Sequence, residues 1–308
     1  MLNKRIWVII SLVFIITMMV LYLYYHRNLF LSLKNISIPT LVYLISIIII
    51  FQAANGLLLR ELVSKFGVLL KPTEWIGLPY ITTMGNYIAP FSGGMLARAT
   101  YLKFRHSFPF AKFVSTLGAS YLVYFWISAV AGILDLIVLG TNSALYWNLM
   151  AFFFIILAFV SVFAIFPSIK LPWNNKLAIA INSALEGWVI IKGDWRLLAR
   201  ISIYTLVSII LNGISFWVGF SAFSGISPSF GIVFLVSLLV GFTIIIRILP
   251  GNLGISEATA SLGSGVLGIG AGAGLMAMLI IRATSLIPIF TLGPIFSLLL
   301  TKETGKNR

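Results

Sequence analysis

The chain has 308 residues, 60% hydrophobic and 9% charged, with 21 Lys and Arg against 7 Asp and Glu. A water-soluble fold cannot hide that much apolar surface, which excludes an ordinary soluble enzyme or binding domain, and the lack of cysteine excludes disulfides, thiolate nucleophiles and Cys-ligated metals. The basic excess lies between apolar runs and accompanies no nucleic-acid-binding motif, so it reads as membrane orientation and contact with anionic head groups, with no nucleic acid as partner.

The apolar runs are continuous and about 20 residues long, the length of a transmembrane helix; barrel strands are about half that and alternate in polarity. The first span, 6 to 25, follows Lys4 and Arg5 and is too long for a signal peptide, so it is expected to stay uncleaved. Span 38 to 59 carries Gln52 and Asn55, polar groups expected to hydrogen-bond between helices. The stretch 76 to 97 holds Pro79, Asn86, Pro90, Gly93 and Gly94 and is too broken for a simple crossing. Spans 112 to 139 and 144 to 166 follow, with Asp135 expected at the outer interface. In the connection 167 to 199, Leu177, Ile181, Leu185, Trp188 and Val189 recur at helical spacing, which fits an interfacial helix or a connector packed on the bundle. Four further spans are expected: 200 to 223, 228 to 248, 259 to 281 and 283 to 300. Arg282 either sits in a tight outer turn between the last two, the reading adopted, or lies within one longer helix. The dense glycines from Gly263 to Gly274 read as a helix-packing seam. His26 and His106 have no partner at metal-ligand spacing.

Orientation follows from the basic residues. With a cytoplasmic N-terminus and 76 to 97 entering and leaving on one side, 18 Lys and Arg face the cytoplasm and three (Arg27, Lys34 and Arg282) face out. The expected architecture is an all-α polytopic transmembrane helical bundle, one membrane domain over 1 to 308, with about eight spans plus a re-entrant segment and both termini cytoplasmic.

Two broken segments resemble each other: Gly85-Asn86-Tyr87-Ile88-Ala89-Pro90-Phe91-Ser92-Gly93-Gly94, ending in Arg98, and Arg247-Ile248-Leu249-Pro250-Gly251-Asn252-Leu253-Gly254, ending in Glu257. Pro90 and Gly94 match Pro250 and Gly254 at an offset of 160 residues. Either this is coincidence, or the chain holds an internal repeat with halves 38 to 166 and 200 to 300, as in duplicated transporters. Proline cannot continue a helix and glycine permits positive φ, so each segment is expected to stop, turn and restart. Helices restarting near Gly94 and Gly254 would direct backbone N–H groups at an anion, with Ser92 or Asn252 as caps. Arg98 would add a forked contact to phosphate. Asn86, Ser92, Gly94, Arg98, Asn252 and Gly254 are therefore the candidate lipid-phosphate residues. Arg247, Glu257 and Arg282 are candidates for charge balance or gating; Glu257 either neutralises a buried arginine or handles substrate directly.

With Asn86, Pro90, Gly94 and Arg98 in NYIAPFSGGMLARA, and Pro250, Gly251, Gly254 and Glu257 in LPGNLGISEAT, the chain resembles the lysylphosphatidylglycerol synthase transmembrane region, or flippase-like (UPF0104), family. The resemblance implies a polytopic protein that handles lipid, moving a modified phospholipid between leaflets. In larger relatives this region is joined to a cytosolic aminoacyltransferase; eight residues follow Leu300 here, so no such domain and no lipid aminoacylation are expected. The leading expectation is a flippase-like translocase of an anionic phospholipid or polyisoprenoid phosphate. The alternative is a non-catalytic membrane subunit that presents lipid to a separate cytosolic transferase. No cofactor is expected. Paired carboxylates, a Ser/His/Asp grouping and a nucleotide-binding loop are all missing from the sequence, so an enzyme is disfavoured and movement would be passive or ion-coupled.

Overall fold

The structure, a computed structural model, describes residues 36–140, 143–165, 176–222, 228–246 and 249–305. The expected span 6 to 25, with His26, Arg27 and Lys34, lies outside these residues, as does Arg247. The described residues form ten α-helices: α1 (Ile38–Ser64), α2 (Pro72–Ile88), α3 (Gly93–His106), α4 (Phe110–Leu139), α5 (Ala144–Ile165), α6 (Lys176–Lys192), α7 (Trp195–Ser221), α8 (Phe230–Phe242), α9 (Ile255–Val266) and α10 (Ala271–Gly305). Five of them, α1, α4, α5, α7 and α10, are long and apolar enough to cross a membrane. The all-α polytopic reading therefore holds.

The long helices begin where the sequence supplies a cap or a proline. The Ser37 hydroxyl accepts the Thr40 N–H ahead of α1, and the Asp194 carboxylate accepts the Leu197 N–H ahead of α7, each meeting an N–H the helix itself leaves unpaired. Lys65, just past the end of α1, donates to Asp194 at 2.7 Å, and Arg200 approaches Glu61 at 3.2 Å. The end of α1 thus lies beside the start of α7, so the two helices are antiparallel; this is the basal end of the bundle.

Helix α2 returns along α1, with Gln52 donating to Thr83 at 3.0 Å. Helix α3 then folds back on α2, and His106 reaches Glu74 at 2.8 Å. The stretch 76 to 97 is therefore a helical hairpin that enters from the basal end and returns to it. At 17 residues, α2 is about 25 Å long, short of a hydrocarbon core of about 30 Å.

The second break produces a matching hairpin from the far end. The expected span 228 to 248 is not one helix: α8 stops at Phe242 and gives way to single turns at Thr243–Ile245 and Pro250–Asn252 before α9. Pro250, Gly251 and Gly254 lie within the break, where Gly251 and Gly254 take positive φ, and helix resumes only at Ile255. The expected spans 259 to 281 and 283 to 300 are also redrawn. The chain turns at Gly268 and Gly270, both at positive φ, and one helix, α10, then runs through Arg282, Pro288 and Pro294. Arg282 is inside this helix and buried, not in an outer turn; its backbone is helical and its charge is met within the bundle. Of the predicted glycine seam, Gly274 lies against Ala260 and Ser264 as expected, while Gly268 and Gly270 form the turn. Gly219, toward the far end of α7, lies against Ala277, and Tyr80 stacks on Phe296 at 5.8 Å. Helix α10 therefore runs from the far end to the basal end.

The interior is apolar and tightly packed. Phe153, Phe216, Phe220 and the run Val233 to Leu238 fill the space among α4, α5, α7 and α8, and Leu59, Val63, Leu102, Phe113 and Leu300 close the basal end. Large apolar side chains also face outward, among them Val42, Val138, Phe154, Ile155, Phe159 and Leu298. That exposure suits lipid as the surrounding solvent. The connection 167 to 199 contains α6, which packs on α4 through Trp188 and a bond from Ser115 to the Ala184 carbonyl at 2.8 Å. It is a helix packed on the bundle.

Candidate functional site

The two hairpins enter from opposite ends and their turns meet inside the bundle, where Tyr87 of α2 lies against Gly251. Between them is a cavity of about 350 Å³ lined by α1, α2, α3, α4, α7, α8 and the second break. Its polar lining includes Gln52, Asn55, Thr83, Asn86, Ser92, Arg98, Ser208, Asn212, Thr243, Asn252 and Ser256. Irregular backbone at membrane depth is tolerated where it lines such a cavity, because wet or protein partners satisfy the freed groups.

The first turn is held by an amide. Asn86 Oδ1 accepts the Gly94 N–H at 3.0 Å. Gly94 also packs against the Thr82 carbonyl so closely that no Cβ fits. Phe91 and Ser92 both take left-handed backbone, φ 53° and 58°, which carries a cost of roughly 1 kcal/mol per L-residue. Ser92 occupies the cap position but its side chain makes no capping bond. Arg98, one turn into α3, lines the cavity; its Nη2 donates to Met95 Sδ at 3.0 Å and its guanidinium lies over Phe113 at 5.5 Å.

The second turn is held by charge. Gly251, Asn252 and Gly254 have positive φ, 58°, 56° and 83°, conformations that glycine and asparagine adopt most readily. Glu257 Oε2 accepts the Gly254 N–H at 2.8 Å, while Oε1 faces Arg282 Nε at 2.6 Å. Arg282 Nη1 donates to the Gly251 carbonyl at 2.9 Å, and Tyr87 of the other hairpin covers the guanidinium at 5.8 Å. Asn252 donates to Thr243 Oγ1 at 2.8 Å and to Ser256 Oγ at 3.1 Å.

These contacts revise the expected roles. The N–H groups of Gly94 and Gly254 are taken by Asn86 and Glu257, so neither is a spare donor for an anion. Glu257 is the neutraliser of a buried arginine, and that arginine is Arg282. Ser92 and Asn252 line the cavity without capping either helix. Arg98 is the cation that lines the cavity among the described residues.

Sequence reasoning missed Thr83, Asn212, Thr243 and Ser256 as lining residues, and treated Gln52 only as a link between helices. The 160-residue offset was the available signal, since it carries Gln52 onto Asn212 and Thr83 onto Thr243. It also missed Glu74, which ties the base of the first hairpin. Glu74 is fully buried and accepts from Tyr101 at 2.7 Å and from the Lys71 N–H at 2.8 Å, with His106 at 2.8 Å. Burial alone would raise its carboxyl, but the bonds from His106, Lys71 and Tyr101 outweigh that and hold it at about 2. Nothing in the sequence distinguishes Glu74 from an exposed helix-start carboxylate.

A bundle of apolar helices broken by two opposed hairpins around a polar cavity defines a multi-pass membrane protein. A match to the family described as Lysylphosphatidylglycerol synthase TM region covers residues 8–293, and the chain belongs to that family. No curated protein and no solved structure matches it.

Proposed function

We propose that this protein is a lipid translocase that passes the head group of an anionic phospholipid or polyisoprenoid phosphate through the cavity between the two hairpins. The observation that carries the reading is Arg98 lining a polar, intramembrane cavity with amides and hydroxyls around it. A guanidinium presents a planar fork that matches phosphate and is weakly hydrated enough to serve at membrane depth. Family membership supports lipid as the cargo. In this reading the acyl or prenyl chains stay in the bilayer, the halves 38 to 166 and 200 to 300 rock against each other, and the head group is exposed to each leaflet in turn. The termini face the cytoplasm of the cell membrane, with basic loops toward anionic lipid.

Leaflet exchange of a fluorescent phosphatidylglycerol in vesicles, with and without the purified protein, tests the proposal. Exchange well above the protein-free rate is expected. Exchange at the protein-free rate, with lipid still bound and a cytosolic transferase retained on purification, would instead identify a lipid-presenting subunit.

A further inference from the structure

We infer that the cavity is one head-group site built jointly by two inverted copies of a four-helix unit, and that it takes a phosphate whose substituent bears neutral hydroxyls, in preference to one bearing an amine. The inference rests on the lipid-handling reading above and names the class of cargo.

The offset of 160 residues relates more than the two turns. Ile38–Ser64 maps to 198–224 against α7 at Trp195–Ser221, and Pro72–Ile88 maps to 232–248 against α8 at Phe230–Phe242. Gly93–His106 maps to 253–266 against α9 at Ile255–Val266, and Phe110–Leu139 maps to 270–299 against α10 at Ala271–Gly305. The order long, short, short, long recurs. The left-handed pair Phe91 and Ser92 maps onto Gly251 and Asn252, which share that conformation, so the turns repeat in backbone where their side chains differ. Packing is exchanged in the same way: α2 packs on α10 and α8 packs on α4. The ion pairs between α1 and α7 make the two units antiparallel.

The cavity lining pairs under the same offset: Gln52 with Asn212, Thr83 with Thr243, and Ser92 with Asn252. Each half thus supplies amide groups from its first helix, Gln52 and Asn55 in one and Asn212 in the other, and hydroxyl or amide groups from its hairpin. Gln52 and Asn212 spend amide N–H groups on Thr83 and on the Ser237 carbonyl, and Asn252 Oδ1 is enclosed without a hydrogen-bond partner among the described residues. An enclosed oxygen without a donor is costly and favours a ligand that brings one. Charge breaks the symmetry: Arg98 maps onto Ala258, and no Asp or Glu lines the cavity among the described residues. Glu257, the nearby carboxylate, is committed to Arg282 and Gly254. A phosphate meets Arg98 and its hydroxyls meet the amides, whereas an ammonium finds no carboxylate and shares the cavity with a guanidinium.

The test is competition for the full-length protein by native mass spectrometry, with equal amounts of phosphatidylglycerol, lysyl-phosphatidylglycerol, phosphatidylethanolamine and phosphatidic acid. Phosphatidylglycerol is expected to be retained at least tenfold over either amine-bearing lipid and severalfold over phosphatidic acid. Equal or stronger retention of the lysyl lipid overturns the inference. Asn212→Leu with Asn252→Leu should erase the preference for phosphatidylglycerol over phosphatidic acid while phosphate-dependent binding persists; an unchanged ratio in that variant also overturns it. Soluble glycerol phosphate is expected to leave the retained lipid in place. Displacement at equal concentration would keep the site and its chemistry but assign it a soluble polyol phosphate. If the head-group ranking holds and no leaflet exchange occurs, the translocase reading fails and the site stands.

Discussion

The two hairpin turns have the same left-handed backbone at Phe91 and Ser92 and at Gly251 and Asn252, yet they are held by different chemistry. The second is locked from within: Glu257 and Arg282 meet at 2.6 Å and clasp Gly254 and Gly251 on either side of the break. The first is held by a neutral amide, Asn86 to Gly94, and its cation, Arg98, lines the cavity. One turn uses its charges to maintain structure, and the other places its charge where a ligand can reach it. Similar motifs in sequence are therefore held by different chemistry.

The comparison predicts where substitutions harm folding and where they harm function. The largest effect falls on the locked turn. Glu257→Ala or Arg282→Ala leaves a buried charge without its partner and should cost about 3–5 kcal/mol, read as a large fall in melting temperature in detergent. Replacing both, with Glu257→Leu and Arg282→Met, should cost less than either single change; additive losses would show that the two do not act as a pair. Next is Gly94→Ala, whose added methyl meets the Thr82 carbonyl and should cost about 1–3 kcal/mol.

The base of the first hairpin gives a pH signature. Glu74 has its carboxyl lowered from 4.5 to about 2, so its contribution is complete above 4.5 and is lost as pH falls toward 2. Glu74→Gln should lower stability near neutral pH and flatten that part of the acid profile. A wild-type melting temperature that does not fall across this window would contradict the assignment. The smallest expected effect is at Phe91, exposed and left-handed: Phe91→Gly should stabilise by up to about 1 kcal/mol, and a loss would mean that the ring has a packing role.

Much of this was legible in the sequence, for identifiable reasons. Continuous apolar runs mark α1, α4, α5 and α7 because lipid requires them, and Pro90, Gly94, Pro250 and Gly254 mark both breaks because each alters what the backbone can do. Arg282 was misplaced, since a charge in an apolar run reads as a turn unless its partner is known. That partner, Glu257, lies 25 positions away in sequence and meets it only through the fold. The engagement of Gly94 and Gly254 was hidden for the same reason: a helix start looks open until a side chain is seen to close it. Gln52 and Asn212 show the opposite case, where each is an ordinary polar residue alone and the offset between them gives the clue.

The central claim is that Arg98 serves the cargo. Leaflet exchange of phosphatidylglycerol should be compared for wild type, Arg98→Lys and Arg98→Ala, each with a measured melting temperature. The account predicts a much smaller fall in melting than for Glu257→Ala, exchange reduced for lysine by loss of the fork, and exchange at the protein-free rate for alanine. Wild-type exchange by a folded Arg98→Ala protein would contradict it.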